Sequence, residues 1–358
     1  MIKISDTENR IVVGISHGDI NGISYEVIIK SCLDQRILEL FTPLVYGLSK
    51  VASYHRKLLN IPDFSFNVIH RSDQLNIKRP NLLNLHDREV KIDLGESTLL
   101  AGELALLSLN AAIQDLKKGV IDVLVTAPLN KANVQSVSNE PFTGHTDYLA
   151  SKLGASDPLM LLVSNSLRVG LVTGHIPISS VAQSISTELI LKKLSIMENS
   201  LRKDFAIRKS RIAVLGLNPH AGDNGLLGTQ EQDIIQPAIN KAKNEGMLVF
   251  GPFPADGFFA SRQFNEFDGI LAMYHDQGLI PFKTLAFESG VNFTAGLPYV
   301  RTSPDHGTAY DIAGKDQATP ESMRAAIYLA CDIFNNRRMW EEITRNPLAI
   351  EKMEKDNS

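Results

Sequence analysis

The sequence predicts an α/β protein built on a largely parallel sheet, and three observations predict it. Short apolar, β-branched runs alternate with longer helix-patterned segments. Almost every such run ends in a short loop dense in Gly, Pro, Asn, Asp or His. The chain has 358 residues, 44% of them hydrophobic and 21% charged, more than one compact domain usually holds, so two domains are expected.

Taken in order, the first strand is expected at 11–16 (IVVGIS), running into His17-Gly18-Asp19-Ile20-Asn21-Gly22. A helix is expected at 25–38, strands at 42–46 and 66–69, and a helix at 102–118. The strand 120–126 runs into Ala127-Pro128-Leu129-Asn130-Lys131. Strands follow at 160–163 and 169–172, the second opening on Thr173-Gly174-His175-Ile176-Pro177. After a helix at 186–201, the strand 211–216 leads to Asn218-Pro219-His220-Ala221-Gly222. A helix at 229–244 and strands at 247–251 and 269–274 complete the pattern, the last meeting His275-Asp276-Gln277-Gly278. Ligands of open α/β sheets bind outside the carboxyl ends of the strands, so five polar strand-end loops point to one shared site. There is no internal repeat, and residues 353–358 read as a polar, fraying tail.

A formal charge of -4 gives no nucleic-acid footprint, so any phosphate recognition rests on a few placed Lys and Arg residues. The two cysteines, Cys32 and Cys331, sit in apolar helix-like stretches and exclude a disulfide framework or a thiolate zinc site. Residues 1–10 carry four charges and no apolar core, unlike a signal peptide, and no uninterrupted apolar run reaches the ~18 residues of a membrane span. A cytoplasmic protein, without membrane or nucleic-acid partner, is expected.

Three of the nine histidines, His175, His220 and His275, occupy equivalent places just after a strand. Neutral imidazoles there suit Zn²⁺ and other borderline divalent ions. Each alone reads equally as a hydrogen-bonded loop histidine; the repetition beside Gly or Pro favours a metal. Asp276 and Asp256 lie near the same loops and either complete the site or are solvated turn residues. His145 and Thr146 fall at a helix start, where free N–H groups favour anions. Lys283, Asn292 and Arg301 follow His275 in a polar, Gly/Pro-rich region, where Lys offers a point charge and Arg a bidentate fork. Singly, each also reads as a surface residue. No G-x-G-x-x-G follows the first strand, and the G-x-S-x-G elbow and the P-loop are missing too.

The run Thr302-Ser303-Pro304-Asp305-His306-Gly307-Thr308-Ala309-Tyr310-Asp311-Ile312-Ala313-Gly314-Lys315 resembles the nucleotide-binding loop of isocitrate and isopropylmalate dehydrogenases. Gly18-Asp19 with Gly22 and Glu26 resembles their N-terminal glycine loop. A closer resemblance covers nearly the whole chain: Thr126-Ala127-Pro128-Leu129-Asn130-Lys131, Gly144-His145-Thr146, His175-Ile176-Pro177, Leu217-Asn218-Pro219-His220-Ala221-Gly222, Pro254-Ala255-Asp256, Tyr274-His275-Asp276-Gln277-Gly278, Val291-Asn292-Phe293-Thr294 and Arg301-Thr302-Ser303. In that order they resemble the 4-hydroxythreonine-4-phosphate dehydrogenase family of pyridoxal phosphate biosynthesis. The first loop departs from it, with Ile20 after Asp19 where proline is usual, as do Gly174 and Gly257 where threonine is usual.

The resemblance implies a two-domain isocitrate/isopropylmalate dehydrogenase-like fold with the active site in a cleft between domains. By the same analogy the domains are residues 1–135 with 291–358, and 136–290. It implies metal ligands His175, His220 and His275 for Zn, Mg or Co, and substrate contacts His145, Thr146, Lys283, Asn292 and Arg301. Cofactor contacts to NAD or NADP fall on Asp305, His306, Gly307 and Gly314. It further implies a homodimer whose active site is shared between subunits, and a small phosphorylated hydroxy-amino acid as substrate. Asp276 is the candidate acceptor of the hydroxyl proton. The rival readings are a paralogous dehydrogenase of a phosphothreonate or phosphoerythronate, and a metal-dependent lyase or transferase on the same fold.

Overall fold

The computed structural model describes residues 10–142 and 144–346; Thr143, the region before Arg10 and the expected tail at 353–358 lie outside the described residues. The strands are β1 (Ile11–Ser16), β2 (Phe41–Gly47), β3 (Asn67–Ile69), β4 (Asn81–Asn84), β5 (Val123–Thr126) and β6 (Leu159–Val163). They continue with β7 (Arg168–Leu171), β8 (Arg211–Leu215), β9 (Leu248–Phe253), β10 (Gly269–Ala272), β11 (Val291–Ala295) and β12 (Val300–Pro304). All twelve form one sheet in the order β3-β4-β2-β1-β5-β12-β11-β6-β7-β10-β8-β9. Among the described residues eight neighbouring pairs are parallel, and the three antiparallel ones (β12–β11, β11–β6 and β6–β7) are consecutive. The expected α/β class with a largely parallel sheet is therefore borne out.

The physical reason lies in burial on both faces. β1, β2, β5 and β10 are almost wholly buried, which is why they read as continuous apolar runs rather than alternating ones. The largest apolar core joins Val13 and Val125 of one half-sheet to Val214 and Leu271 of the other. A second core lies under the helix Leu99–Lys118, and a third under the helix His275–Ala286, where Leu279 and Phe282 meet Leu171, Leu215 and Ala272. The helix Leu99–Lys118 is long and apolar enough to cross a membrane by length and composition. Its Ala105, Leu109, Ile113 and Leu116 instead pack on Leu44, Tyr46 and Leu124. It starts with the Thr98 hydroxyl accepting from the Ala101 N–H and stops at Gly119 with φ 71°. Both cysteines are free and buried.

Some elements differ from expectation. The first helix ends at Ser31 and resumes only at Ile37–Leu40, because Asp34 accepts from the Arg36 N–H and side chain in a local turn that competes with the helix. Strands β4, β11 and β12 were not expected: Asn292 and Thr294 interrupt VNFTA, Arg301, Thr302 and Ser303 interrupt VRTSP, and both end near Gly or Pro. Lys283, Asn292 and Arg301 accordingly stand on a helix, on β11 and on β12, not in one irregular region. The expected domain division at 135/136 and 290/291 runs through the antiparallel seam, since β12 pairs with β5 while β11 pairs with β6.

Candidate active site

A cleft of about 690 Å³ opens at the carboxyl ends of β5, β7 and β10 and over β11 and β12. It is lined by His145, Thr146, His175, His275, Asp276, Lys283, Asn292, Arg301, Asp305, His306 and Gly307, all singled out from the sequence. Three candidates lie elsewhere. His220 and Asp256 are exposed and Gly314 packs against Leu94 and Leu58; none of them lines the cleft.

Arg301 forms the floor. It is 1% exposed, yet no carboxylate stands within ion-pairing distance among the described residues. Its guanidinium reaches both neighbouring strands, donating from Nη2 to Thr126 Oγ1 (2.6 Å) and from Nη1 to Thr294 Oγ1 (3.1 Å). Burial pushes its pKa down to about 9, so it remains a cation at neutral pH. A buried charge left without a counter-charge is costly, and a site that receives an anion removes that cost. His145 opens the helix His145–Leu153; burial, then Arg301 and Lys131, hold its pKa well below the usual histidine value. His145 Nε2 and Asn292 Oδ1 are buried without a partner among the described residues. The guanidinium and the neutral imidazole suit a phosphate or carboxylate, while Asn292 Oδ1, an acceptor, suits a hydroxyl or ammonium group of the same ligand.

Lys283 projects from the helix His275–Ala286 to the Asp305 carboxylate and carbonyl, both at 3.3 Å. Burial raises the Asp305 pKa and Lys283 opposes that rise.

The histidines sit where adjacent strands bring their loops together. β7 and β10 are parallel neighbours, and the Met273 carbonyl accepts from the Thr173 N–H and hydroxyl just beyond them. His175 and His275 therefore face each other with ring centroids 5.4 Å apart. His275 Nδ1 meets Asp276 Oδ1 at 2.7 Å, the carboxylate orientation that leaves Nε2 free as a ligand. The Lys131 ammonium lies 3.5 Å from His175 Nε2. An ammonium only donates, so Nε2 already presents its lone pair to a cation. Burial, then Lys131 and His275, lower the His175 pKa and keep it neutral. Two imidazole lone pairs in this state fit a borderline divalent ion. Among the described residues one chain brings no third donor to them.

The stretch around Asp305, His306 and Gly307 is tied to the first strand-end loops. Tyr310 donates to Asp19 Oδ2 (2.8 Å), the Ile23 N–H to the Thr308 carbonyl (3.0 Å) and the Asp19 N–H to the Pro128 carbonyl (2.8 Å). Gly18, at φ 69°, lets that approach happen: a Cβ there would meet Pro128 O at 2.2 Å. His306 Nε2 is buried without a partner among the described residues.

Sequence reasoning missed Lys131, Thr126 and Thr294 as site residues. The strand-end position of Thr126 and Lys131 was a usable signal; Thr294 was carried only by the motif Val291-Asn292-Phe293-Thr294, because its strand was not expected.

The fold and the cleft define a class of α/β protein with a buried arginine beside a histidine pair at the carboxyl ends of its strands. Residues 39–330 match the family model described as pyridoxal phosphate biosynthetic protein PdxA, and the chain belongs to that family. It is 50% identical over 349 residues to the 4-hydroxythreonine-4-phosphate dehydrogenase of Bacteroides thetaiotaomicron, covering 97% of this chain and 95% of that protein. The Sulfurihydrogenibium enzyme of the same name is 39% identical, covering 89% and 97%. The crystal structure of the 4-hydroxythreonine-4-phosphate dehydrogenase from Klebsiella pneumoniae superposes with a TM-score of 0.77 at 34% identity, covering 92% of this chain and 99% of that one. Relatives so named make the chain an oxidoreductase, and the resemblance read from the sequence is borne out.

Proposed function

We propose that the chain oxidises 4-phosphooxy-L-threonine at C3 with NAD⁺ or NADP⁺, in pyridoxal 5'-phosphate biosynthesis. The product, 2-amino-3-oxo-4-phosphooxybutanoate, then loses CO₂ to give 3-amino-2-oxopropyl phosphate. The observation that carries this reading is Arg301, a buried guanidinium with no acidic neighbour among the described residues, at the floor of a cleft that also holds His175 and His275.

Arg301, Lys283, His145 and Thr146 would bind the substrate's anionic groups and Asn292 one of its donor groups, holding C3 in one place. His175 and His275, with His220 from a second copy, would hold a divalent ion, Zn²⁺, Mg²⁺ or Co²⁺. When bound, such an ion polarises the C3 hydroxyl, and the nicotinamide supplies the hydride acceptor. Asp276 orients His275 through Nδ1 and stands at the cleft as the candidate proton acceptor. Asp305, His306 and Gly307 would meet the cofactor. A shared site in a homodimer is supported by exposed apolar side chains on the histidine-bearing segments: Ile176, Ile178, Leu226, Leu227 and Ile280.

The test is NAD(P)⁺ reduction by the purified protein with 4-phosphooxy-L-threonine, before and after chelation. Turnover abolished by chelator and restored by Zn²⁺ or Co²⁺ is expected. Turnover insensitive to complete metal removal, or reduction only with 4-phosphothreonate or 4-phosphoerythronate, sinks the reading.

A further inference from the structure

The loop that carries His220 has an uncommon backbone. From His220 to Asn224 the φ angles are 54°, 51°, 83°, 41° and 56°, five consecutive left-handed residues of which only Gly222 is glycine. L-residues leave this region readily, so something must over-determine it. The holding group is Glu231, 4% exposed at the start of the following helical segment. Its Oε1 accepts from the Leu217 N–H (2.7 Å) and the Asn218 N–H (2.8 Å), and its Oε2 from Asn218 Nδ2 (2.9 Å). Gly222 is packed onto that carboxylate, since a Cβ there would stand 2.6 Å from Oε2. A second clip fixes the base of the loop: Gln277 donates to the Gly216 carbonyl (2.6 Å) and accepts from the Met273 N–H (2.7 Å). The foot of the loop is thus fastened beside the His275 loop while its tip points His220 into solvent.

We propose that Glu231 is a positioning residue that acts through His220. Its buried carboxylate holds the left-handed turn and so turns the imidazole away from its own cleft, toward the metal site of a second copy. This rests on the reading of His220 as the third ligand. A carboxylate bonded to three N–H groups selects one loop geometry out of many, and a ligand fixed before the ion arrives binds it more tightly.

The experiment is a titration of the full-length apo-protein with Co²⁺, followed by the d–d absorption and by competition with a chromophoric chelator. Wild type, Glu231→Gln, His220→Ala and the double variant are compared, with circular dichroism as the check on folding. Glu231→Gln is expected to weaken Co²⁺ binding about tenfold and to shift the absorption band, in the range known for supporting shells. In the His220→Ala background the same change is expected to do nothing further. Gly222→Ala, which displaces the carboxylate without removing it, serves as the second variant and is expected to match Glu231→Gln. Equal weakening with and without His220 overturns the proposal and makes Glu231 a general stabiliser. Unchanged Co²⁺ binding in His220→Ala overturns the ligand reading itself, so the two failures are distinguishable.

Discussion

At the scale of single residues, the cleft is governed by charges that the fold leaves uncompensated. Arg301 is the clearest case, with threonine hydroxyls but, among the described residues, no carboxylate beside it. Arg301→Met removes a desolvated charge from the ligand-free protein and leaves a side chain of similar length. Its melting temperature is therefore expected to stay level or rise. The same change is expected to lower kcat/KM by ~10²–10³, because a buried charged contact to an anion contributes about 3–4 kcal/mol. A lower melting temperature together with unchanged kcat/KM would make Arg301 a structural residue. Lys131 acts in the opposite sense on the histidines. Its ammonium, 3.5 Å from His175 Nε2, repels any divalent ion placed there. Unit charges ~4 Å apart interact by about 1 kcal/mol in water and a divalent ion doubles this, so Lys131→Met is expected to tighten metal binding about thirtyfold in a Zn²⁺ titration. Weaker binding would show that the lysine helps to seat the ion.

Among elements, what was legible depended on burial and on regularity. β1, β5, β7, β8 and β10 announced themselves as apolar runs, and the loops after them carried the candidate ligands in order. β11 and β12 did not, because Asn292, Thr294, Arg301 and Ser303 replace the apolar pattern with the residues that line or support the cleft. The helix His275–Ala286 was hidden by Gly278 and Pro281: its first turn, His275 to Gly278, was expected to be a strand-end loop, and only its place just after a strand was read correctly. Convergence of His175 with His275 was readable from equivalent positions; the outward turn of His220 was not, since left-handed residues leave no pattern in composition. The stack His17–Tyr25–His55, with successive centroids 5.3 Å apart, is a further feature no periodicity reveals. Burial pushes both histidine pKa values down to about 4. The unfolded chain, with values near 6.5, takes up protons first as pH falls, so stability is lost between pH ~6.5 and ~4 and levels off below. Each imidazole contributes up to about 3 kcal/mol to that loss. His55→Asn is expected to flatten the decline in melting temperature across this window; a slope equal to that of the wild type would place the sensitivity elsewhere.

For the whole molecule, the proposed ion site has two of its three histidines in one cleft and the third outside it. β7 and β10 deliver two imidazoles to the same cleft, while β8, next to β10 in the sheet, sends its histidine outward. Leu226, which ends the His220 loop, is 79% exposed, Ile280 is 63% exposed on the helix that His275 begins, and Phe287 caps the far end of that helix at 77% exposed. Apolar groups of that size in water favour burial against another surface. A dimer formed over them would exchange His220 between copies, so assembly and metal binding should be lost together. Leu226→Glu with Phe287→Glu is expected to shift the protein from dimer to monomer in sedimentation velocity at micromolar concentration. The monomer is expected to keep its far-ultraviolet circular dichroism, because neither side chain belongs to an apolar core, and to bind Zn²⁺ at least a hundredfold more weakly. A well-folded monomer with wild-type Zn²⁺ affinity would show that a single chain supplies every donor, and the outward turn of His220 would then need a different purpose.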